Sequence, residues 1–214
     1  IPQIILKENG KKKSIVDTEL FADKLFQKVY SSGKLQHIVK RDIAWIAAWG
    51  TTEEFLQKFR EDDEMQYFYD RGLIYYALSN PDMGSCYEIS SFLLSRCNKE
   101  KKNCILEKKT RDFDGPYHML FRRKNYDVLQ TAELCEQLFE AGADPNQAGE
   151  KNVLPIELMM ALPFTEEELH PLYDIWMKLP AVDLKLHTFD GKQPIDFAKK
   201  YKRKKLATWI KAQL

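Results

Sequence analysis

Pro116-Tyr117-His118-Met119-Leu120, Pro155-Ile156-Glu157-Leu158-Met159 and Pro194-Ile195-Asp196-Phe197-Ala198 are three versions of one phrase. The three prolines stand 39 residues apart, and a second marker keeps the same interval: Asp144 in Ala-Gly-Ala-Asp-Pro-Asn and Asp183 in Pro-Ala-Val-Asp-Leu. Two unrelated markers with one period mean a duplicated structural unit. A period between 20 and 50 residues means a solenoid or array.

Each proline suits the first turn of a helix, where its missing N–H has no helical partner. The apolar residues behind it recur at helical spacing: Ile156, Met159 and Met160, then Ile195, Ala198 and Tyr201. A second helix is expected from about Thr131 to Ala141, with Leu134, Cys135, Leu138 and Phe139 on one face. Gly142 follows, suited to the positive φ of a helix end, and Asp144-Pro145-Asn146 is turn chemistry. The unit reads helix, turn, helix, extended loop. Capping boxes are expected at Thr51-x-x-Glu54, Ser85-x-x-Glu88 and Thr165-x-x-Glu168, where hydroxyl and carboxylate each take an orphan amide.

The pattern resembles the ankyrin repeat, whose unit opens its first helix with Thr-Pro-Leu-His-x-Ala and closes its second with Gly-Ala-Asp-x-Asn. Gly142-Ala143-Asp144-Pro145-Asn146 and Gly191-Lys192-Gln193-Pro194-Ile195-Asp196-Phe197-Ala198 carry the resemblance, with Pro116-Tyr117-His118 behind them. Upstream, Asp42 to Ala48 and Arg71 to Ala77 look like first helices with Ile43 and Leu73 in the proline place. Spacings there become 30 and 43 residues, against the family's usual length of about 33. The expectation is an all-α, ankyrin-repeat solenoid of about five helix-turn-helix units with helical caps. Its units fall at about 36–66, 67–108, 109–147, 148–186 and 187–214. An N-terminal cap over 1–35 would hold a helix from about Asp17 to Tyr30. A closing helix, about Arg203 to Ala212, puts Leu206, Trp209 and Ile210 on one face and lysines on the other, as a terminal cap needs.

The 214 residues are 44% hydrophobic and 30% charged, which is ordinary globular composition with ample core material. No apolar run approaches the ~20 residues of a membrane span. Nothing resembles a signal peptide, because Lys11-Lys12-Lys13 follows the short apolar Ile1 to Ile5 rather than preceding it. Four scattered cysteines without a CxxC fit a reducing, cytoplasmic setting, or a host cytosol for a delivered effector. A net charge of +1 argues against nucleic acid as the main ligand.

HExxH, GxSxG, P-loop and GxGxxG are all absent from the sequence. No His/Cys set has metal-ligand spacing. His118 sits at the histidine place of the resembled motif, where a structural hydrogen bond explains it. Glu157 holds the same place one unit on and is expected to bond loop amides. These readings give no catalytic residue, no metal and no cofactor.

What the resemblance implies is a non-catalytic scaffold binding another protein through its concave face and loop tips, monomeric on its own. Carried over position by position, the partner-binding candidates are Arg111, Asp112, Asp114, Arg122 and Arg123 in unit three. Unit four offers Glu150 and Lys151. Unit five offers Phe189, Asp190, Lys192, Lys200 and Tyr201. Looser alignment adds Phe68, Tyr69 and Arg71 from unit two and Trp49 from unit one. Such a chain could be the targeting module of a bacterial effector, a toxin-neutralising immunity protein or an intracellular regulator. The alternative is part of an enzyme whose catalytic residues lie outside the segment or on the charged 98–114 insertion.

Overall fold

Short helices come in pairs along the computed structural model, which describes residues 5–8, 11–14, 42–61, 72–96, 114–123, 125–188 and 190–214. The chain divides into two compact units, Ile1–Arg41 and Asp42–Leu214. In the first, β1 (Ile5–Glu8) and β2 (Lys11–Ser14) form an antiparallel hairpin, with Ile5 opposite Ser14 and Glu8 opposite Lys11. The helix expected over 17–30 lies outside the described residues.

In the second unit the described residues are all-α. The first helices of the pairs are α1 (Ile43–Trp49), α3 (Leu73–Leu78), α5 (Pro116–Phe121), α7 (Pro155–Ala161) and α9 (Pro194–Lys200). Their partners are α2 (Thr52–Lys58), α4 (Met83–Ser95), α6 (Val128–Glu140), α8 (His170–Lys178) and α10 (Lys204–Gln213). Ile43 and Leu73 open their helices where proline opens the other three, as the alignment of the degenerate units anticipates.

Packing follows sequence order. Along the row of first helices α1 touches α3, then α3 touches α5, α5 touches α7 and α7 touches α9. In the other row α2 touches α4, α4 touches α6 and α6 touches α8. A helix of six or seven residues is too short to hold itself together in water. Burial supplies what length does not: Leu73, Ile74, Tyr75, Ala77 and Leu78 of α3 are all buried, because neighbours flank it on both sides. A second helix buries one stripe instead. In α6 this is Thr131, Ala132, Leu134, Cys135 and Leu138, while Glu133, Glu136 and Glu140 face solvent.

One of the three expected capping boxes forms with both halves, at Thr165 and Glu168, and a second has its hydroxyl half in place. Thr51 Oγ1 accepts from Glu54 N at 3.2 Å. Thr165 and Glu168 cap each other, at 2.7 Å from Thr165 N and 3.2 Å from Glu168 N. The third moves: Ser85 lies inside α4, and Asp82 caps it by accepting from Ser85 N at 2.8 Å. Likewise Asp127 caps α6, which begins at Val128 rather than Thr131. Gly142 has the expected positive φ, 99°, and the Ala143 amide returns to Leu138 O at 2.9 Å.

The period is visible in the loops as well. Asp144 Oδ1 accepts from Asn146 N and Asp183 Oδ1 from Lys185 N, both at 2.8 Å. Gly149 N bonds Val153 O and Thr188 N bonds Lys192 O, both at 2.9 Å. Both pairs repeat the 39-residue interval of the prolines.

Candidate functional site

The last carbonyls of a helix have no intrahelical donor, so short helices stacked at their ends need donors from elsewhere. The following unit provides them. Asn80 Nδ2 donates to Ala47 O and Gly50 O, each at 3.0 Å. Arg123 Nη1 donates to Leu78 O at 2.8 Å. Arg203 donates to Met160 O at 2.9 Å and to Leu162 O and Phe164 O at 2.6 Å. These three side chains fix the ends of the first helices, which together with the loop tips form the strip expected to face a partner.

The best-defined part of that strip joins units three and four. Asp114 Oδ2 accepts from Arg122 Nη1 at 2.6 Å, and its Oδ1 accepts from Glu150 N at 3.0 Å. One carboxylate therefore ties a helix end to the next loop tip. His118 lies beneath it, fully buried. Its Nδ1 accepts from Gly115 N at 3.1 Å and its Nε2–H donates to Val153 O at 2.9 Å. Burial holds the imidazole below its usual pKa, with Arg122 pulling the same way and the Val153 bond and Asp114 opposing. Only glycine fits at position 149, since a Cβ there would stand 2.6 Å from His118 Nε2. The tip itself carries Lys151 (φ 56°) and Asn152 (φ 58°) in the left-handed region. Arg122, Glu150 and Lys151 are exposed on this fixed frame.

Unit five repeats the arrangement with different chemistry. Asp190 bonds Lys192 and Thr188 across its loop tip. These bonds, that to Lys192 first, hold the Asp190 carboxyl down at about 2, so it is charged throughout the physiological range. Lys200 lies 3.5 Å from Glu157 Oε1 and 4.7 Å from the centre of the Tyr201 ring. Its ammonium is raised above the usual lysine pKa, chiefly by Tyr201 and then by Glu157. Glu157 thus pairs with a lysine of the next unit rather than with the loop amides expected for it. Asp196 is the residue that bonds an amide, accepting from Gln193 N at 3.1 Å.

Of the partner-binding candidates, Asp114, Arg122, Glu150 and Lys151 are brought together, as are Lys200 and Tyr201, and Asp190 and Lys192. Arg123 turns inward to Leu78 O and serves the stack. Trp49 ends α1, half-buried. Phe68, Tyr69, Arg71, Arg111, Asp112 and Phe189 lie outside the described residues, as does the 98–114 insertion except for Asp114. The sequence reading missed Asn80 and Arg203, and Asn146 with them. The Asn146 amide donates to Ala181 O at 2.6 Å and accepts from Asp183 N at 2.8 Å. The Gly-Ala-Asp-x-Asn match at 142–146 was the available signal for the last.

Among the described residues no group of three or more His, Cys, Asp or Glu side chains could hold a metal ion. Among them, too, no helix is long and apolar enough to cross a membrane. Cys86 and Cys135 are buried free thiols, and burial pushes both thiol pKa values up.

No known protein family and no curated protein matches the chain. Among solved structures it is similar to a functionally unknown protein from Leptotrichia buccalis C-1013-b. The TM-score is 0.64 at 22% identity, over 84% of this chain and 94% of that one. At this identity the likeness concerns the fold.

Proposed function

We propose that residues 42–214 form an ankyrin-type array that acts as a non-catalytic scaffold, binding a partner protein along the first-helix ends and loop tips. The observation that carries this reading is the Asp114 carboxylate shared between Arg122 and the Glu150 amide. It presents charges of both signs on a frame that is already ordered. A surface fixed before binding loses less side-chain and loop freedom on association, and charges of both signs on one strip give register and selectivity. Arginine and aromatic side chains such as Arg122 and Tyr201 are the usual anchors of such contacts. The identity of the partner decides whether this is the targeting module of an effector, an immunity protein masking a toxin, or an intracellular regulator.

The test is capture of the partner from native lysate with identification by mass spectrometry, repeated with Arg122→Glu combined with Lys151→Glu. Both side chains are exposed and Arg122 lies just past its helix, so the helical circular dichroism stays unchanged, while loss of the Arg122–Asp114 pair and of both positive charges lowers affinity by about tenfold or more. Arg123 is left intact because it holds Leu78 O. Undiminished affinity of the double variant would remove this face from the account.

A further inference from the structure

The loop tips of units four and five are built alike and held differently. Gly149 N bonds Val153 O in one, and Thr188 N bonds Lys192 O in the other, 39 residues on. Tip four is also tied back to unit three. His118 Nε2–H donates to the same Val153 O at 2.9 Å, and Asp114 Oδ1 accepts from Glu150 N at 3.0 Å. One unit on, Glu157 stands in the place of His118 and pairs with Lys200 at 3.5 Å. Tip five closes on itself through Thr188, Asp190 and Lys192. Those bonds, that of Lys192 to Asp190 first, hold the Asp190 carboxyl at about 2, so it does not titrate in mild acid. His187 stands before this tip, exposed and without a hydrogen bond among the described residues.

A second proton on His118 would sit on Nδ1, facing the Gly115 N–H at 3.1 Å. The charge would be buried, which is costly without water. Gly149 covers the other edge of the ring, so closely that a Cβ on it would stand 2.6 Å from Cδ2 and Nε2. We infer that His118 is a proton-operated latch: protonation of its ring releases residues 149–153 from unit three and leaves tip five closed. Lifting Gly149 gives the charged ring its water, and the imidazolium then competes with Arg122 for the Asp114 carboxylate. Asp114 favours the charged ring and Arg122 opposes it, while Glu150 and Lys151 are exposed on the tip. Of the helices packed on α5, α3 brings Tyr75 and Tyr76, and α6 brings the buried thiol of Cys135. Glu157 of α7 is turned to Lys200, and α8 meets α5 through the Trp176 ring. Burial keeps the closed ring below its usual pKa, and an open ring regains about 6.5. The tip is therefore fully latched above about pH 6.5 and loosens as pH falls below it. The consequence for a partner rests on the scaffold reading above: in mild acid Arg122 and Lys151 lose their common frame.

The experiment is amide hydrogen exchange of the full chain, read by NMR and divided by the intrinsic rates, at about pH 7.5 and about pH 5.5. No partner enters it, so its outcome does not depend on whether the strip binds one. Protection of the Gly149 and Glu150 amides should fall severalfold, with about tenfold as the ceiling that one proton sets over this range. Protection of the Thr188 and Lys192 amides should stay level. In His118→Gln both tips should stay level. Equal losses at the two tips would mean general loosening by acid and overturn the inference, as would unchanged protection at Gly149 and Glu150. A loss that survives in His118→Gln would belong to Asp114 or Glu150 and overturn it too. Should that variant not fold, the ring nitrogen shifts of His118 in the parent chain take its place. Their midpoint must coincide with that of the loss at tip four, and a separate midpoint overturns the latch.

Discussion

A doubly protonated His118 has no place in this fold. Its Nδ1 accepts the Gly115 amide and its Nε2–H is committed to Val153 O, so a second ring proton would point donor at donor. Burial, the main cause, keeps the folded-state pKa below the ordinary value. As pH falls through about 6.5 the unfolded chain takes up the proton first. The stability from this residue is therefore complete above that pH and declines below it. Urea midpoints measured between about pH 7.5 and pH 5.5 should fall for the parent chain. For His118→Asn they should be lower at the upper end and flatter across the range. Equal slopes in the two proteins would show that the imidazole does not titrate as described. His118 could be read from sequence because its local motif names its role. Asn80 and Arg203 could not, since their acceptors lie up to 33 and 43 residues away. Nothing near a lone arginine in a lysine-rich run says that it alone points inward.

At the scale of the helix, each first helix begins where an apolar residue or proline follows an extended residue, and this was legible for all five. The starts of the second helices were less so. Ser85 and Asp82 are both good capping residues, three positions apart, and choosing Asp82 lets Met83 and Gly84 join the helix. Met83 then packs against the core, a contact that local pattern does not price. The Asp82 carboxyl is held below the usual range by the Ser85 amide. Asp82→Ala and Asp127→Ala should each cost about 1 kcal/mol in urea denaturation, the ordinary worth of a cap. Ser85→Ala leaves the α4 cap in place. If Ser85→Ala lowered stability as much as Asp82→Ala, the sequence reading of the cap would be the better one.

Over the whole of residues 42–214, the units are joined like to like. Side chains of one unit satisfy the helix ends or loops of its neighbour: Asn80 on unit one, Arg123 on unit two, His118 and Asp114 on unit four, Arg203 on unit four. An assembly joined only to its sequence neighbours has stability that is approximately local. The 39-residue period made this legible from Gly115 onward, where prolines and turn aspartates keep the beat. The earlier units keep only the apolar helix pattern, because burial constrains α1 and α3 while the spacing between them and the next unit varies.

Arg203 is the place to ask whether the molecule behaves as an array. Replacing it with alanine strands the buried carbonyls of Met160 and Leu162, a loss of about 3 kcal/mol, without touching any unit before the fourth. Native-state hydrogen exchange of Arg203→Ala, compared residue by residue with the parent chain, is the direct measurement. Protection should fall in α7, α9 and α10 and persist in α1, α3 and α4. Loss of protection shared evenly across all these helices would mean one indivisible core, and would contradict the stacked-unit account.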